Sequence, residues 1–271
     1  MRLLVSLTII LIGVLSLSAR TLRVLAIGNS FSQDAVEQNL YELALAAGDT
    51  LIIGNAYIAG CQIDLHYENI LSDKAAYSYR KVVDGVKTTK NKVSIKSIIT
   101  DEPWDVISLQ QSSQYSGKKS TFGNLASLKE EIVRLMPNKN AEVIWHMTWA
   151  YSKDSGHSGY KNYGNSQSGM NDSIYSAVCS ELPKVDIDRI VPAGPAIQYA
   201  RAMFGDILNS DGYHLSHDLG RYVAACTWCE FLTGRSVVGN PYYPETLSPK
   251  IARKAQKSAH KAIKSFKFKD K

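Results

Sequence analysis

The chain has 271 residues and a formal net charge of +6, with 31 basic and 25 acidic residues. This length suits one large α/β domain or two small ones, and the composition excludes an intrinsically disordered chain. The positive charge is modest and no basic-aromatic motif of an RNA or DNA reader accompanies it, so we expect no nucleic-acid partner.

Residues 1–19 have the layout of a secretory signal peptide. Met1-Arg2 is a short basic start, residues 3–17 form a continuous apolar run, and small residues follow up to Ala19. A membrane anchor is the alternative, but the run is short for a span of ~20 residues. We therefore expect cleavage near Ala19, a secreted or periplasmic protein, and no stable membrane insertion after cleavage.

Short apolar segments alternate with helical patterns along most of the chain. Strands are predicted at residues 22–27, 51–57, 104–109, 142–148 and 190–192. Helices are predicted at residues 34–47, 125–136, 170–182, 196–204 and 219–232. This alternation predicts an α/β fold, a three-layer α/β/α sandwich with a central, mainly parallel five-stranded sheet. Asp84-Gly85 adds a turn signal for an inserted β-hairpin at residues 77–93.

The main domain is expected to span residues 20–240, followed by a lysine-rich C-terminal helical extension at residues 241–271. Apolar residues at helical spacing in the extension favour a helix that packs on the domain with a solvated lysine face. Attraction of that face to an anionic glycan or membrane surface is the alternative.

Four cysteines do not form a disulfide framework. Cys226 and Cys229 have the spacing of a redox Cys-x-x-Cys motif, but they fall inside a predicted helix. Burial as two small apolar residues is therefore favoured over redox chemistry. A second ligand pair with zinc spacing is lacking, so no metal site is predicted.

The first predicted strand ends abruptly in Gly28-Asn29-Ser30. A serine at a strand-to-helix turn lies where open α/β sheets form their ligand crevices, and a histidine and an acid can activate it as a nucleophile. Ser30 with Gln33 also fits a capping box, which has no catalytic role. On this segment alone the cap is the simpler interpretation.

Asp211-Gly212-Tyr213-His214 is the second informative segment. An acid three residues before a histidine can hold one imidazole nitrogen and leave the other free as a base. His217 lacks an acid at the same spacing, which favours His214. An α/β-hydrolase elbow is excluded, because Ser32 stands where that motif requires glycine.

Together these segments resemble the SGNH (GDSL) hydrolase superfamily. Gly28-Asn29-Ser30-Phe31 is similar to its first block, Gly60 stands in the position of the second, and the Asp211 segment is similar to the last. The resemblance covers residues 22 to 234 approximately and looks closest to a branch of secreted SGNH-like proteins. It implies a triad of Ser30, Asp211 and His214.

The third block departs from the superfamily pattern. Where Gly-x-Asn is usual, this chain has Gln110-Gln111-Ser112-Ser113. The resemblance implies an oxyanion hole built from the backbone N–H groups of Ser30 and Gly60 and from the amide of Gln111. Gln110 is the rival donor, and Ser112 is a third alternative.

The sequence thus predicts an exported serine esterase that acts on short-chain esters, with acetyl groups on carbohydrates as the favoured substrates. The alternative is a weak or inactive SGNH-like module that binds a cell-surface glycan. The expected partner is a small ester or an acetylated glycan, with no cofactor, and the sequence does not indicate an oligomeric state. Candidate substrate-binding residues are Asn29, Gln110, Trp149 and Tyr151.

Overall fold

A seven-stranded sheet lies at the centre of the computed structural model, which describes residues 20–187 and 189–267. The strands are β1 (Thr21–Gly28), β2 (Thr50–Tyr57), β3 (Tyr77–Val83), β4 (Val86–Val93), β5 (Val106–Leu109), β6 (Glu142–His146) and β7 (Ile190–Val191). The helices are α1 (Ser30–Val36), α2 (Leu40–Ala46), α3 (Ile63–Ser72), α4 (Ile95–Ile99), α5 (Leu125–Leu135), α6 (Gln167–Glu181), α7 (Ala193–Phe204), α8 (Leu219–Thr233) and α9 (Pro249–Ser265).

The expected signal peptide at residues 1–19 lies outside the described residues, and so do the last four residues of the lysine-rich extension. In the part of the chain that the structure describes, every helix is too short or too polar to cross a lipid bilayer.

The sheet is mainly parallel, as the sequence predicted. Its strand order is β4-β3-β2-β1-β5-β6-β7. Strand β1 pairs in parallel with β2 on one side and with β5 on the other, and β6 and β7 continue the parallel part. The side chains from Val24 to Ile27 are buried. Burial on both faces explains why the strand appears in the sequence as a continuous apolar run rather than an alternating pattern.

The prediction of five strands was wrong, because the hairpin joins the sheet. Strand β3 pairs antiparallel with β2, and β4 pairs antiparallel with β3. The turn lies at Asp84 and Gly85, which both have positive φ (51° and 76°), as a tight two-residue hairpin turn requires. Pairing with β3 satisfies backbone groups of β2 that would otherwise form an open sheet edge.

The helix expected at residues 34–47 is two helices. Asn39 lies between α1 and α2 with a φ of 64°, in the left-handed region that asparagine tolerates better than most residues. Helix α1 begins earlier than predicted, at Ser30, directly after β1. The short helices α3 and α4 were not predicted from the sequence.

Helices cover the sheet in two groups. Helices α1, α2, α7, α8 and α9 contact one another, and α3, α4 and α5 form a second group. Helix α8 is buried almost all round, including the thiols of Cys226 and Cys229, which are unpaired. Burial raises the pKa of Cys229 to about 12, so its thiolate is disfavoured. Helix α9 packs on α7 and α8 through a row of buried alanines, Ala252, Ala255, Ala259 and Ala262.

Candidate active site

One pocket of about 220 Å³ opens at the carboxyl ends of the central strands. Strands β2 and β5 lie on opposite sides of β1 in the sheet. The pocket therefore occupies the place where open α/β sheets form their ligand crevices. Its lining comes from five segments of the chain: Asn29, Ser30, Tyr57, Ala59, Gly60, Ser112, Ser113, Gln114, His157, Tyr213 and His214.

Ser30 is the first residue of α1 and lines this pocket. The cap of α1 is Asn29, whose side-chain oxygen accepts a hydrogen bond of 3.0 Å from the backbone N–H of Phe31. Asn29 therefore carries the capping role that the sequence assigned to Ser30. The Ser30 N–H is among the first N–H groups of the helix, which lack an acceptor within it.

His214 reaches the same pocket from a short loop before α8. Asp211 Oδ2 lies 2.7 Å from Nδ1 of His214, and Asp211 Oδ1 accepts the backbone N–H groups of Tyr213 and His214 at 3.1 and 2.8 Å. Burial opposes ionisation of Asp211, but these hydrogen bonds outweigh it and lower the pKa of the carboxyl group. An ionised Asp211 accepts a hydrogen bond from Nδ1–H of His214, which leaves Nε2 of the same ring with a lone pair.

Asp34 in α1 holds the histidine loop against the serine helix. Its buried carboxylate accepts the backbone N–H of Leu215 at 2.8 Å and pairs with Arg221 of α8 at 2.8 Å. Burial raises the pKa of Asp34, and the charge of Arg221 and the bond from Leu215 oppose that shift. The residue that follows His214 is thus tied directly to the helix that starts at Ser30.

Two other histidines belong to the core. His66 and His146 are fully buried, and burial lowers the pKa of each to about 3. His146 Nδ1 lies 2.8 Å from Oε1 of Gln110, and His66 Nδ1 lies 2.9 Å from the Tyr77 hydroxyl. Neither lines the pocket. The pocket does contain a second histidine, His157, which was not among the predicted site residues.

Gln110 and Asn29 form a buried network beneath the pocket. The Gln110 amide donates to Oδ1 of Asn29 at 2.9 Å, and the Asn29 amide donates to the carbonyl of Cys61 at 2.9 Å. A Cβ atom at Gly28 would lie 2.8 Å from Cδ of Gln110, so only glycine fits there. The amide groups of Asn29 and Gln110, which were predicted to bind substrate, are therefore bonded within the protein, where they join β1, β5, β6 and the Gly60 loop.

Gln111 is turned away from the predicted oxyanion hole. Its amide nitrogen donates to the carbonyl and hydroxyl of Thr121 at 2.8 and 3.1 Å, and its oxygen accepts the backbone N–H groups of Ile63 and Ser112. The third block brings Ser112 and Ser113 to the pocket. The Ser113 hydroxyl is bonded to Tyr151, whereas the Ser112 hydroxyl is buried and has no hydrogen-bond partner among the described residues. Gly60 also lines the pocket and has a φ of 61°, which favours glycine.

Trp149 and Tyr151 are fully buried, so neither presents a ring face to a substrate. Trp149 stacks on Phe31 at 4.3 Å between ring centroids and donates from its indole to the carbonyl of Tyr213. The Tyr151 hydroxyl lies 2.7 Å from the hydroxyl of Ser113. The two side chains pack inside the protein and support the loops that form the site. The aromatic residues that line the pocket are Tyr57 and Tyr213, both half-buried.

His157, Tyr57 and Tyr213 are the pocket residues that sequence reasoning missed. Tyr213 lies within the Asp211–His214 segment and Tyr57 ends a predicted strand, so the position of each could have indicated that it lines the pocket. His157 offered no comparable signal, since it lies eleven residues beyond β6 in a segment rich in glycine and serine. Among residues 20–187 and 189–267, no group of three or more histidine, cysteine or acidic side chains could hold a metal ion.

Residues 23–262 match the model of a domain of unknown function, DUF4886. The chain belongs to the DUF4886 family. A DUF4886 protein from Bacteroides uniformis, with a known crystal structure, is 48% identical, and the match covers 90% of this chain and 95% of that one with a TM-score of 0.88. A search of the curated proteins finds no match.

The fold of this DUF4886 protein is also that of the SGNH hydrolases. A protein assigned to the SGNH hydrolases from Slackia heliotrinireducens is 17% identical, with 78% of this chain and 99% of that one covered at a TM-score of 0.52. A GDSL-like lipase from Parabacteroides merdae is 14% identical, with coverages of 80% and 98% and the same TM-score of 0.52. At these identities the likeness establishes a shared fold.

Proposed function

We propose that this protein is an exported serine esterase that removes short acyl groups, acetyl above all, from carbohydrates. The observation that carries the proposal is the meeting of Ser30 with the Asp211–His214 pair in one pocket at the carboxyl edge of the sheet. Membership of an SGNH-type fold adds support, since the three residues stand in the blocks that resemble the catalytic blocks of that superfamily.

The proposed mechanism combines the Asp211–His214 hydrogen bond with the position of Ser30 in the same pocket. His214 Nε2 takes the proton of the Ser30 hydroxyl while Oγ attacks the ester carbonyl, and Asp211 stabilises the imidazolium that forms. His214 then gives the proton to the alcohol oxygen as the C–O bond breaks. Water, deprotonated by the same nitrogen, attacks the acyl group on Ser30. The bond to Oγ then breaks, His214 returns the proton to Oγ, and the carboxylic acid is released. The chemistry of these steps is supplied by the three side chains and water.

The negative charge that develops on the carbonyl oxygen needs hydrogen-bond donors. Two are the backbone N–H groups of Ser30 and Gly60, which both line the pocket. For the third donor we propose the hydroxyl of Ser112 in place of Gln111, because the Gln111 amide is already bonded to Thr121 and the Ser112 hydroxyl is buried and unpartnered among the described residues.

The size and lining of the pocket support the proposed substrate class. A cavity of about 220 Å³ admits an acetyl group and part of its alcohol, but it has little room for a long acyl chain. Tyr57 and Tyr213 offer partly exposed rings beside the reacting atoms, and Arg80 stacks on the Tyr57 ring at 3.7 Å and fixes its orientation. Aromatic faces with a polar hydroxyl suit sugar rings.

The decisive experiment measures hydrolysis of p-nitrophenyl acetate and of acetylated xylan by the wild type and by Ser30→Ala. We expect kcat to fall by at least ~10⁴-fold in the variant, because the nucleophile is lost. Ser32→Ala is the matched control, since the Ser32 hydroxyl is buried and bonds to Asn29 and Asn55 rather than lining the pocket.

Activity that survives Ser30→Ala would overturn the triad. Absence of turnover of any short-chain ester by the wild type, together with binding to acetylated glycans, would favour the alternative of a non-catalytic glycan-binding module. That alternative draws on the departure of the third block, where Gln111 does not face the pocket.

A further inference from the structure

His157 lines the same pocket as His214, and the triad does not use it. Its ring lies between two tyrosines, 4.8 Å from the ring centroid of Tyr151 and 4.7 Å from that of Tyr213 in an edge-on arrangement. Tyr213 in turn lies 4.1 Å from His214. The aromatic contacts fix the position of the His157 ring next to the catalytic base.

The hydrogen bonds of His157 assign its protonation. The backbone N–H of Gly159 donates to Nδ1 of His157 at 2.9 Å. A nitrogen that accepts a hydrogen bond has a lone pair, so the hydrogen of the neutral ring is on Nε2. Burial, and then the charge of a protonated His214, lower the pKa of His157, whereas Asp211 opposes the shift. At neutral pH the ring is therefore an uncharged N–H donor.

The proposed reaction indicates which part of the substrate lies near His157. The triad requires His214 to hand its proton to the alcohol oxygen, so the departing alcohol must lie beside His214. The oxyanion donors at Ser30, Gly60 and Ser112 hold the carbonyl end. His157 packs on the ring of Tyr213, which also packs on His214, so His157 lies near the base that the departing alcohol must reach.

We propose that Nε2–H of His157 binds a second oxygen on the alcohol part of the ester and so makes the enzyme selective for esters of polyols and sugars. This inference rests on the proposed esterase function and narrows its substrate class. A site that hydrogen-bonds a substrate oxygen discriminates against analogues that lack it, because the polar group of the protein is then left unpaired. Acetate esters with a neighbouring hydroxyl or ring oxygen are the preferred substrates.

The test compares two substrates that differ by one hydroxyl, cyclohexyl acetate and trans-2-hydroxycyclohexyl acetate. For the wild type we expect kcat/KM to be about tenfold higher on the hydroxy ester, the size of one hydrogen bond. His157→Phe keeps the aromatic packing and removes the donor, so the ratio should fall to about one, with the loss mainly on the hydroxy ester. His157→Gln has an oxygen for Gly159 and an N–H for the substrate, and it should restore part of the ratio. His217→Phe is the matched control, because His217 is exposed and does not line the pocket.

A ratio unchanged in His157→Phe would overturn the inference, and so would an equal loss on both esters that His157→Gln does not repair. Those results leave the esterase itself intact. Failure of the wild type to hydrolyse either ester, or full activity in Ser30→Ala, would instead overturn the proposed function.

Discussion

The two pocket histidines are both held at Nδ1, but in one of them this nitrogen donates a hydrogen bond and in the other it accepts one. His214 donates its Nδ1 hydrogen to the carboxylate of Asp211, which leaves Nε2 as an acceptor. His157 accepts a backbone N–H at Nδ1, which leaves Nε2 as a donor. The same side chain is thus set as a base in one loop and as a hydrogen-bond donor in the other. The partner of Nδ1 decides the role, and the residue type alone does not.

The difference also has an electrostatic side. In the proposed reaction His214 becomes positively charged, and Asp211 is there to stabilise that charge. A second charged imidazole in the pocket would oppose it. Among the described residues no carboxylate is bonded to the His157 ring, and the charge of His214 lowers its pKa further. A neutral His157 can therefore bind substrate throughout the cycle without competing for the proton.

After the loss of the nucleophile in Ser30→Ala, the largest expected effect comes from giving His214 the protonation pattern of His157. In Asp211→Asn the amide oxygen can still accept the backbone N–H groups of Tyr213 and His214, but its NH₂ group then faces Nδ1. The ring hydrogen moves to Nε2 and the base is lost. We expect kcat on p-nitrophenyl acetate to fall by ~10³–10⁴-fold with the fold intact by circular dichroism.

Asp218→Asn provides the control for this change, because Asp218 is an exposed residue just before α8 and does not line the pocket. A loss of less than tenfold in Asp211→Asn would contradict the idea that Asp211 sets the state of His214.

A smaller effect is expected at the oxyanion hole. Ser112→Ala removes the buried hydroxyl that we assign to the carbonyl side, and kcat should fall by ~10²-fold with little change in KM. The preference for trans-2-hydroxycyclohexyl acetate over cyclohexyl acetate should remain, because that preference belongs to His157. Ser113→Ala is matched in chemistry and position, but its hydroxyl is bonded to Tyr151. Equal losses in the two variants would argue against an oxyanion role for Ser112.

The parts of the site that the sequence predicted are those fixed by neighbours in the chain. The turn at Gly28-Asn29-Ser30 follows from a buried strand and a capping residue, and Asp211 reaches His214 because only two residues separate them. The parallel sheet followed from the alternation of strands and helices. Each of these features depends on local sequence, so a single chain was enough to indicate it.

The parts that were missed depend on contacts between distant segments. The direction of the Gln111 side chain is decided by Thr121 and Ile63, and the burial of Trp149 by stacking on Phe31. The hairpin became part of the sheet through pairing with β2, which no turn signal could reveal. An aromatic residue in a segment rich in glycine and serine is expected to be exposed, and its burial depends on how that segment folds.

The smallest predicted effect on activity comes from a residue that holds the loop of His214 but not the loop of His157. Asp34 accepts the N–H of Leu215, next to His214, and it has no contact with the loop of His157 among the hydrogen bonds of the described residues. Asp34→Ala should lower kcat about tenfold on both cyclohexyl acetate and trans-2-hydroxycyclohexyl acetate, because His214 is less well placed, and leave their ratio unchanged.

The conservative variant distinguishes a positioning role for Asp34 from a purely structural one. Asp34→Asn keeps an oxygen for Leu215 but loses the ion pair with Arg221, so it should recover most of kcat. Its free energy of unfolding should still fall by ~2–4 kcal/mol, measured with urea, because a buried charge on Arg221 is left unpaired. A change in the substrate ratio in Asp34→Ala would mean that the two loops are coupled, and equal kcat losses in both variants would mean that the Leu215 bond does not position His214.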